Sequence, residues 1–486
     1  MSEAIVGLEP KLVWEIFAGI ASVPRPSKHE EKIIAHIDTL AKSRGFVVDQ
    51  DLTANLVIRV PATPGYESAP VVVMQGHVDM VCEKNSDVDF DFMTEGIRLR
   101  RDGDWLRGTG TTLGADNGLG VAMALAAAMA PAVVHGPLEI LLTVDEETGL
   151  TGAMYLSNEL ITGRILVNLD SEETGIVYMG CAGGAGVSAH LPLRWADAND
   201  TQVGVRLVVR GLRGGHSGGN IHENRANAVK ILARTLKALS PHHIHIAAMQ
   251  GGDKHNAIPR EAFAVFSLPQ KAFDKAAATV AECHAAMAQE FPRDPDFVME
   301  LVSADRPARV LDADTQTAAL AMLLGFPNGV IAMSQDLPNL VETSTNLASI
   351  KIEGDALAAH NSPRSSNATA IRGVIEQIDA VARLAGAVTD VRDPYPGWQP
   401  NPDSRILRLV ETVHEEVFGK KPERKAIHAG LECGIIGEKF PGMDMVSFGP
   451  DIQGAHSPDE RAYIPAVAVS WKLLAAVLEA VAKGRY

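Results

Sequence analysis

The chain has few cysteines, no excess of basic residues and no long apolar run, and each absence excludes a class of protein. The cysteines Cys82, Cys181, Cys283 and Cys433 are widely spaced and form no CxxC pair, which excludes a zinc ribbon or a thioredoxin motif. A formal net charge of −16 argues against nucleic acid, whose phosphates repel an acidic surface, and against a polybasic membrane anchor. No segment approaches the run of about 20 apolar residues that spans a bilayer.

Targeting and nucleotide-binding signals are also missing. The N-terminus has no basic start followed by a long apolar core, so we predict a cytoplasmic protein with reduced thiols. The glycine-rich segment GTGTTLGADNG lacks both the GxxxxGK[ST] pattern and the dinucleotide spacing, which argues against a nucleotide site. The length of 486 residues exceeds what one ordinary hydrophobic core supports, so we expect at least two domains.

Strand-like and helix-like segments alternate through most of the chain, which indicates an α/β fold. A change of rhythm near Pro192 and a linker rich in Pro, Gly and Asp near residue 400 enclose a middle block with its own strands and helices. We therefore predict a discontinuous domain formed by residues 1–186 and 401–486. Residues 187–400 would form a second domain inserted into it.

Potential metal ligands follow several short apolar segments. In an open α/β sheet, ligands bind outside the carboxyl ends of the strands, so residues distant in sequence can meet at one edge. Two imidazoles with several carboxylates suit a pair of zinc or manganese ions better than one structural zinc. The side chains concerned are His77 and Asp79, Asp116, Glu146 and Glu147, Asp170, and His456.

Each of these residues also has a simpler interpretation. His77 can be a half-buried histidine beside a solvated Asp79, and Asp116 can be the N-terminal cap of the helix that follows it. Adjacent carboxylates at Glu146 and Glu147 can divide two tasks, one binding metal and one accepting a proton from water, or can form an acidic turn. Asp170 has the same alternatives of ligand and polar turn.

Ten segments, taken in their order along the chain, resemble the M20 family of metallopeptidases, and within it the Xaa-His (aminoacyl-histidine) dipeptidase branch. The likeness covers essentially the whole chain. The segments are GHVDMVCEKN, GTTLGADNG, TVDEETGLTGA, NLDSEE, RGGHSGGNIHENRANA, HNAIPRE, ETSTNLA, NSPRSSN, HAGLECG and GAHSPDE. The resemblance implies a zinc-peptidase-like catalytic domain with a central mixed sheet flanked by helices, and an inserted α+β lid domain.

The same resemblance implies two Zn²⁺ ions per subunit, for which Mn²⁺ or Co²⁺ can substitute. His77 and Asp170 would hold one ion, His456 and Glu147 the other, and Asp116 would bridge them. In this comparison Asp79 orients His77, and Glu146 is the general base.

For the substrate, the resemblance implies a histidine of the lid, His216, that reaches the scissile group. A mobile surface histidine is the alternative for His216, because the surrounding loop is rich in glycine. Asn256 and Arg364 would bind the substrate's carbonyl or its terminal carboxylate. The segment from His428 to Gly434, which includes Gly430, would line the pocket.

The predicted function is hydrolysis of small peptides, in particular Xaa-His dipeptides, by a metal-activated water with a glutamate base. A broad-specificity dipeptidase and an N-acyl amino acid deacylase use the same kind of centre and stay open as alternatives. A protein that binds metal or peptide without catalysis is the alternative of a different class. We expect a small peptide as the partner, with no nucleic acid and no membrane, and both a monomer and a homodimer remain open.

Overall fold

The computed structural model describes residues 2–335 and 337–486, which form two compact units. The first unit contains the chain up to Cys181, together with Trp398–Ala426 and Leu431–Tyr486. The second unit contains Ala182–Gly397 and Ile427–Gly430. The division predicted from the sequence, 1–186 with 401–486 and 187–400, differs from this one by a few residues at each boundary and leaves Ile427–Gly430 in the first part, and it stays a prediction. The catalytic and lid roles assigned to these parts stay predictions.

The N-terminal part of the first unit alternates between strands and helices. The strands are β1 Val47–Gln50, β2 Leu56–Val60, β3 Val72–His77, β4 Leu99–Asp102, β5 Trp105–Gly108, β6 Leu138–Thr143, β7 Ile165–Asn168 and β8 Ile176–Cys181. The helices are α1 Lys11–Ala21, α2 Glu31–Ser43, α3 Ala115–Met129, α4 Glu146–Gly149 and α5 Thr151–Tyr155.

The second unit is richer in strands. They are β9 Gly183–Pro192, β10 Trp195–Asp197, β11 Gln202–Arg210, β12 Gly215–His216, β13 His245–Gly251, β14 Ala257–Ile258, β15 Ala262–Pro269, β16 Val298–Ala304, β17 Arg309–Leu311, β18 Gly329–Met333, β19 Val341–Glu353, β20 Ala356–Ser365 and β21 Val388–Tyr395. Its helices are α6 Ala228–Leu239, α7 Phe273–Glu290, α8 Ala313–Gly325 and α9 Ala368–Leu384.

The chain then returns to the first unit. This part contains β22 Glu423–Ile427, β23 Asp444–Ser447, β24 Ile452–Gln453, β25 Arg461–Tyr463, α10 Arg405–Phe418, α11 Glu432–Lys439 and α12 Ile464–Ala482.

The main sheet of the first unit is mixed, with strand order β1-β2-β6-β3-β7-β23-β8-β22. Its centre is parallel, because β3 pairs in parallel with β6 and β7, and β7 pairs in parallel with β23. Strands β3, β6 and β7 are buried along their whole length, as expected for parallel strands covered on both faces. The carboxyl ends of the central strands therefore lie along one edge of the sheet.

Helix α3 lacks the one-sided apolar pattern of a surface helix because it lies in the core of this unit. It is apolar on nearly all sides, and most of its residues are buried, with contacts to α1, β3 and α12. Judged by length and composition alone, helix α12 could cross a membrane. However, 56% of its most apolar stretch is buried inside the protein. Core helices of globular proteins share that composition.

The second unit has an antiparallel sheet in the order β16-β11-β15-β13-β19-β20-β9-β21, with β18 also paired to β19. Its buried face follows the strand alternation, as Val205, Leu207 and Val209 on β11 illustrate. Helices α6 to α9 supply the opposing apolar residues of one continuous core. The predicted fold class is confirmed: a central mixed sheet with helices in one unit, and an inserted α+β unit.

Candidate metal centre

The carboxyl edge of the main sheet brings together side chains from five segments. Strand β3 ends at His77, β6 ends three residues before Glu146, and β7 ends two residues before Asp170. Asp116 lies at the start of α3 in a non-helical conformation, so its backbone belongs to the preceding loop. His456 follows β24 and has a left-handed backbone, with φ of 64°.

A first group of potential ligands surrounds the ring of His77. Its Nε2 atom lies 3.1 Å from Asp116 Oδ1 and 3.3 Å from Asp170 Oδ1. The three side chains are close enough for one ion to contact all of them. His77 is 1% exposed, so this group is shielded from solvent on the side of the sheet.

A second group lies on the other side of Asp116. His456 Nε2 is 3.3 Å from Asp116 Oδ2 and 3.0 Å from Glu147 Oε2. Asp116 thus turns one carboxylate oxygen toward each group. His456 is 55% exposed, so the second group is the more open of the two.

Asp79 connects the first group to the loop that carries both glutamates. Its Oδ1 lies 3.3 Å from His77 Nδ1 and accepts the backbone N–H of Glu146, while its Oδ2 accepts the backbone N–H of Glu147 and the hydroxyl of Ser27. Burial opposes ionisation of Asp79, but these contacts outweigh it and lower its pKa to about 2. The role predicted for Asp79, orientation of the His77 ring, stays a prediction.

The carboxylates at this edge repel one another. Burial, followed by the nearby carboxylates Asp116 and Glu147, raises the pKa of Asp170 to about 6. Burial likewise raises the pKa of Glu146 well above its ordinary value, and Asp170 and Glu147 add to the effect. Excess negative charge in a buried cluster is relieved when cations bind between the carboxylates.

The donor set fits divalent cations. Among the residues that the structure describes, Glu147 Oε1 is buried without a hydrogen-bond partner, so this carboxylate has an oxygen available to a ligand. Two imidazole nitrogens with carboxylate oxygens match the preferences of zinc, manganese and cobalt. All of the ligand residues proposed from the sequence meet at this centre, and their role as ligands stays a prediction.

The remaining predicted site residues lie in the second unit. His216 Nδ1 accepts the backbone N–H groups of Gly218 and Gly219, at 3.2 and 2.9 Å, which places the ring proton on Nε2. Strand β12, which carries His216, pairs with β14, and the carbonyl of Asn256 accepts the N–H of Ser217. The histidine loop and the Asn256 segment are therefore held together.

Arg364 and Gly430 meet at Tyr395, which lies in the segment rich in Pro, Gly and Asp that is predicted to be a linker. Arg364 Nη1 donates to the hydroxyl of Tyr395 at 3.1 Å, and Gly430 packs on the ring of the same tyrosine. Arg364 is 7% exposed. No periodic signal marked Tyr395, because the Asp-Pro-Tyr-Pro segment has the composition of a turn although β21 continues to Tyr395.

A family model described as peptidase family M20/M25/M40 matches residues 73–480, which is well over half of the chain. The chain belongs to that peptidase family. Its enzyme class, a metallopeptidase that hydrolyses peptide bonds, is thereby confirmed at the level of the family.

Two relatives are similar to this chain over nearly their whole length. The "cytosol non-specific dipeptidase" of Escherichia coli is 40% identical over 97% of this chain and 98% of that protein. The solved aminoacylhistidine dipeptidase of Vibrio alginolyticus is 41% identical, covers 99% of this chain and 98% of that chain, and has a TM-score of 0.90. The aminopeptidase PepT of Bacillus cereus, at 18% identity and a TM-score of 0.57, shares the fold.

Proposed function

We propose that this M20/M25/M40 peptidase is a dipeptidase that uses two divalent cations, with Zn²⁺ as the preferred ion. The observation that carries the proposal is the position of Asp116, whose two oxygens face two separate groups of potential ligands. A carboxylate placed in this way can bridge ions that are about 3.5–4 Å apart. A single structural zinc needs no shared carboxylate.

In this proposal His77 and Asp170 hold one cation, and His456 and Glu147 hold the other. Bound cations would lower the pKa of a shared water and polarise the scissile carbonyl. Zn²⁺ is favoured by the two histidines, and Mn²⁺ or Co²⁺ would be accepted by the same ligands. Asp79 keeps His77 oriented through Nδ1, so that Nε2 faces the cation position.

Glu146 is the proposed general base. It lies beside His77 and Glu147, and its backbone N–H donates to Asp79, which holds the Glu146 backbone at the edge of the centre. Glu146 takes a proton from the attacking water and returns it to the leaving amine. General acid–base catalysis of this kind typically contributes about 10²–10⁴-fold to a rate.

The proposed substrates are dipeptides. The names of two relatives, both similar over the full chain at 40 and 41% identity, support this class. Those names differ in breadth, since one is non-specific and the other aminoacylhistidine-specific. We propose Xaa-His dipeptides as preferred substrates, with broad dipeptide cleavage as the second candidate, and we place the reaction in the cytoplasm.

Residues of the second unit would bind the rest of the peptide. With its proton on Nε2, His216 can donate a hydrogen bond to the carbonyl oxygen as negative charge develops there, an interaction worth about 3–4 kcal/mol. Arg364 offers a guanidinium for a terminal carboxylate, and Asn256 offers an amide for a carbonyl. Gly430 leaves room beside Tyr395, because any side chain there would contact the tyrosine ring.

The assignment of Glu146 is tested with Glu146→Gln, in which zinc content and dipeptide hydrolysis are measured on the same sample. We expect two bound zinc ions and a rate lowered by at least about 10²-fold, because the amide cannot accept the proton. Glu147→Gln is the matched control, and it should lose zinc as well as activity. Normal turnover in Glu146→Gln would overturn the assignment.

The substrate class is tested with Xaa-His dipeptides, other dipeptides, tripeptides and N-acetyl amino acids at equal concentrations. The dipeptidase proposal predicts the highest kcat/KM for dipeptides and a low value for tripeptides. A preference for N-acetyl amino acids would identify a deacylase instead. Removal of metal with a chelator should abolish all of these activities, and added Zn²⁺ should restore them.

A further inference from the structure

The loop that carries Asp116 is held by one buried carboxylate from the C-terminal part of the chain. Glu460 is 2% exposed, and its two oxygens accept four consecutive backbone N–H groups. Oε2 accepts from Leu113 at 2.8 Å and Gly114 at 2.9 Å, and Oε1 accepts from Ala115 at 2.8 Å and Asp116 at 3.3 Å. A single side chain therefore satisfies the donors of the whole segment that leads into α3.

A buried arginine also holds this loop. Arg25 is 1% exposed and donates to the carbonyls of Val78, Asp79 and Gly114. Two of these carbonyls, those of Val78 and Asp79, directly follow His77, the last residue of β3. The third, that of Gly114, belongs to the loop that leads to Asp116. Arg25 thus joins the two segments by its guanidinium.

The glycine at position 114 makes this approach possible. Gly114 has a φ of 68°, and a Cβ atom there would collide with the Arg25 guanidinium. Burial lowers the pKa of Arg25, and the negative charges of Glu460 and Asp79 oppose that effect and keep the guanidinium charged. Arg25 and Glu460 form what we call the Asp116 clamp.

We propose that the Asp116 clamp positions the shared carboxylate so that each of its oxygens faces one cation. The inference rests on the proposed function, because it assumes that cations bind at Asp116. Asp116 itself has a non-helical backbone, so no helix hydrogen bond fixes its direction. The N–H contact with Glu460 and the carbonyl contacts of Arg25 take the place of such a bond. Loss of a partner that orients a ligand typically lowers metal affinity about 10–100-fold.

The test is Glu460→Gln, which keeps the size of the side chain but replaces one acceptor oxygen with an NH₂ group. Glu139→Gln is the matched control. Glu139 is also 2% exposed and accepts the backbone N–H groups of Thr162 and Gly163, but it lies at the amino end of β6, away from the centre. Both changes remove a buried carboxylate that holds a loop, and only one of those loops carries Asp116.

Metal-free protein is titrated with Co²⁺, and both the affinity and the visible absorption spectrum are recorded, together with unfolding in denaturant. We expect two Co²⁺ per chain in the unmodified protein and in Glu139→Gln. Glu460→Gln should bind Co²⁺ about 10–100-fold more weakly, with a changed spectrum per bound ion. A purely structural role would lower stability without changing that spectrum.

Three results would overturn the inference. Co²⁺ affinity and spectrum in Glu460→Gln that match the unmodified protein would exclude a positioning role while leaving the dipeptidase proposal intact. An equal loss of affinity in Glu139→Gln would assign the effect to general destabilisation. An unmodified chain that binds no Co²⁺ would remove both the proposed function and the clamp. If Glu460→Gln does not fold, Arg25→Lys is measured in its place, with the same expected weakening.

Discussion

The substitution Asp79→Asn hardly changes the size of the side chain, but it weakens the link between the His77 ring and the loop that carries Glu146 and Glu147. In the unmodified protein one oxygen of Asp79 accepts the N–H of Glu146, at 3.1 Å, and the other accepts the N–H of Glu147, at 3.2 Å. An amide has only one acceptor oxygen, so at least one of these N–H groups loses its partner. The negative charge beside His77 Nδ1 is lost at the same time.

The size of the effect follows from these contacts. A buried donor left without an acceptor costs about 1–3 kcal/mol, which should appear as a lower free energy of unfolding in the metal-free protein. Weakening the interaction that orients a ligand histidine typically lowers metal affinity about 10–100-fold, which corresponds to about 1.4–2.8 kcal/mol. We expect kcat/KM to fall further than affinity, because the backbone of Glu146 shifts as well.

The assay compares Asp79→Asn with Asp444→Asn by zinc titration, denaturant unfolding and dipeptide hydrolysis at saturating zinc. Asp444 accepts the N–H groups of Arg405 and Ile406, both at 2.9 Å, at the amino end of β23 and so at the opposite edge of the sheet. The control should lose stability and keep its zinc affinity. Unchanged zinc affinity and kcat/KM in Asp79→Asn would refute the reasoning.

Two further predictions concern the second unit. Burial, followed by the nearby positive charges of Arg364 and His216, lowers the pKa of His428 to about 3. In the unfolded chain the His428 imidazole binds a proton near pH 6.5, whereas in the folded chain it stays neutral. The free energy of unfolding should therefore drop by about 2 kcal/mol from pH 7 to pH 5. His428→Asn should lack that part of the drop. Lys230 Nζ donates, at 2.8–2.9 Å, to the carbonyls of Leu323 and Leu324 in α8 and of Phe326 just after it. Lys230→Met should therefore lower the free energy of unfolding by about 1–3 kcal/mol and leave zinc affinity unchanged. A drop from pH 7 to pH 5 that is as large in His428→Asn as in the unmodified protein, or an unchanged denaturant curve for Lys230→Met, would contradict these expectations.

Local patterns in the sequence were sufficient to predict many of the elements. The apolar spacing of residues 28–45 is typical of an amphipathic helix, and a helix is found at Glu31–Ser43. The helix expected after Asp116 is found at Ala115–Met129. The continuous apolar run in PLEILLTV indicates a buried strand, and a strand is found at Leu138–Thr143. These segments were predictable because their apolar spacing or their continuous apolar character follows directly from one-sided or complete burial.

Turns and contacts between distant segments were harder to predict. The end of β21 was placed in a linker, because Asp393 and Pro394 are typical of turns although the strand continues to Tyr395. Arg25 lies between two prolines and Glu460 lies in an acidic turn, and nothing local in either segment indicates a buried partner. Their burial depends on hydrogen bonds to a loop more than 80 residues away in one case and more than 300 in the other.

The sequence alone determined the α/β class and the short list of imidazoles and carboxylates, because strand ends and residue chemistry are local properties. Only the tertiary structure decided how these side chains are grouped. The parallel pairing of β6, β3 and β7 brings His77 and Asp170 to one edge, and the loop held by Glu460 turns Asp116 between them and His456. Such a grouping depends on which strands become neighbours and on buried hydrogen bonds between segments, and neither is encoded by spacing along the chain.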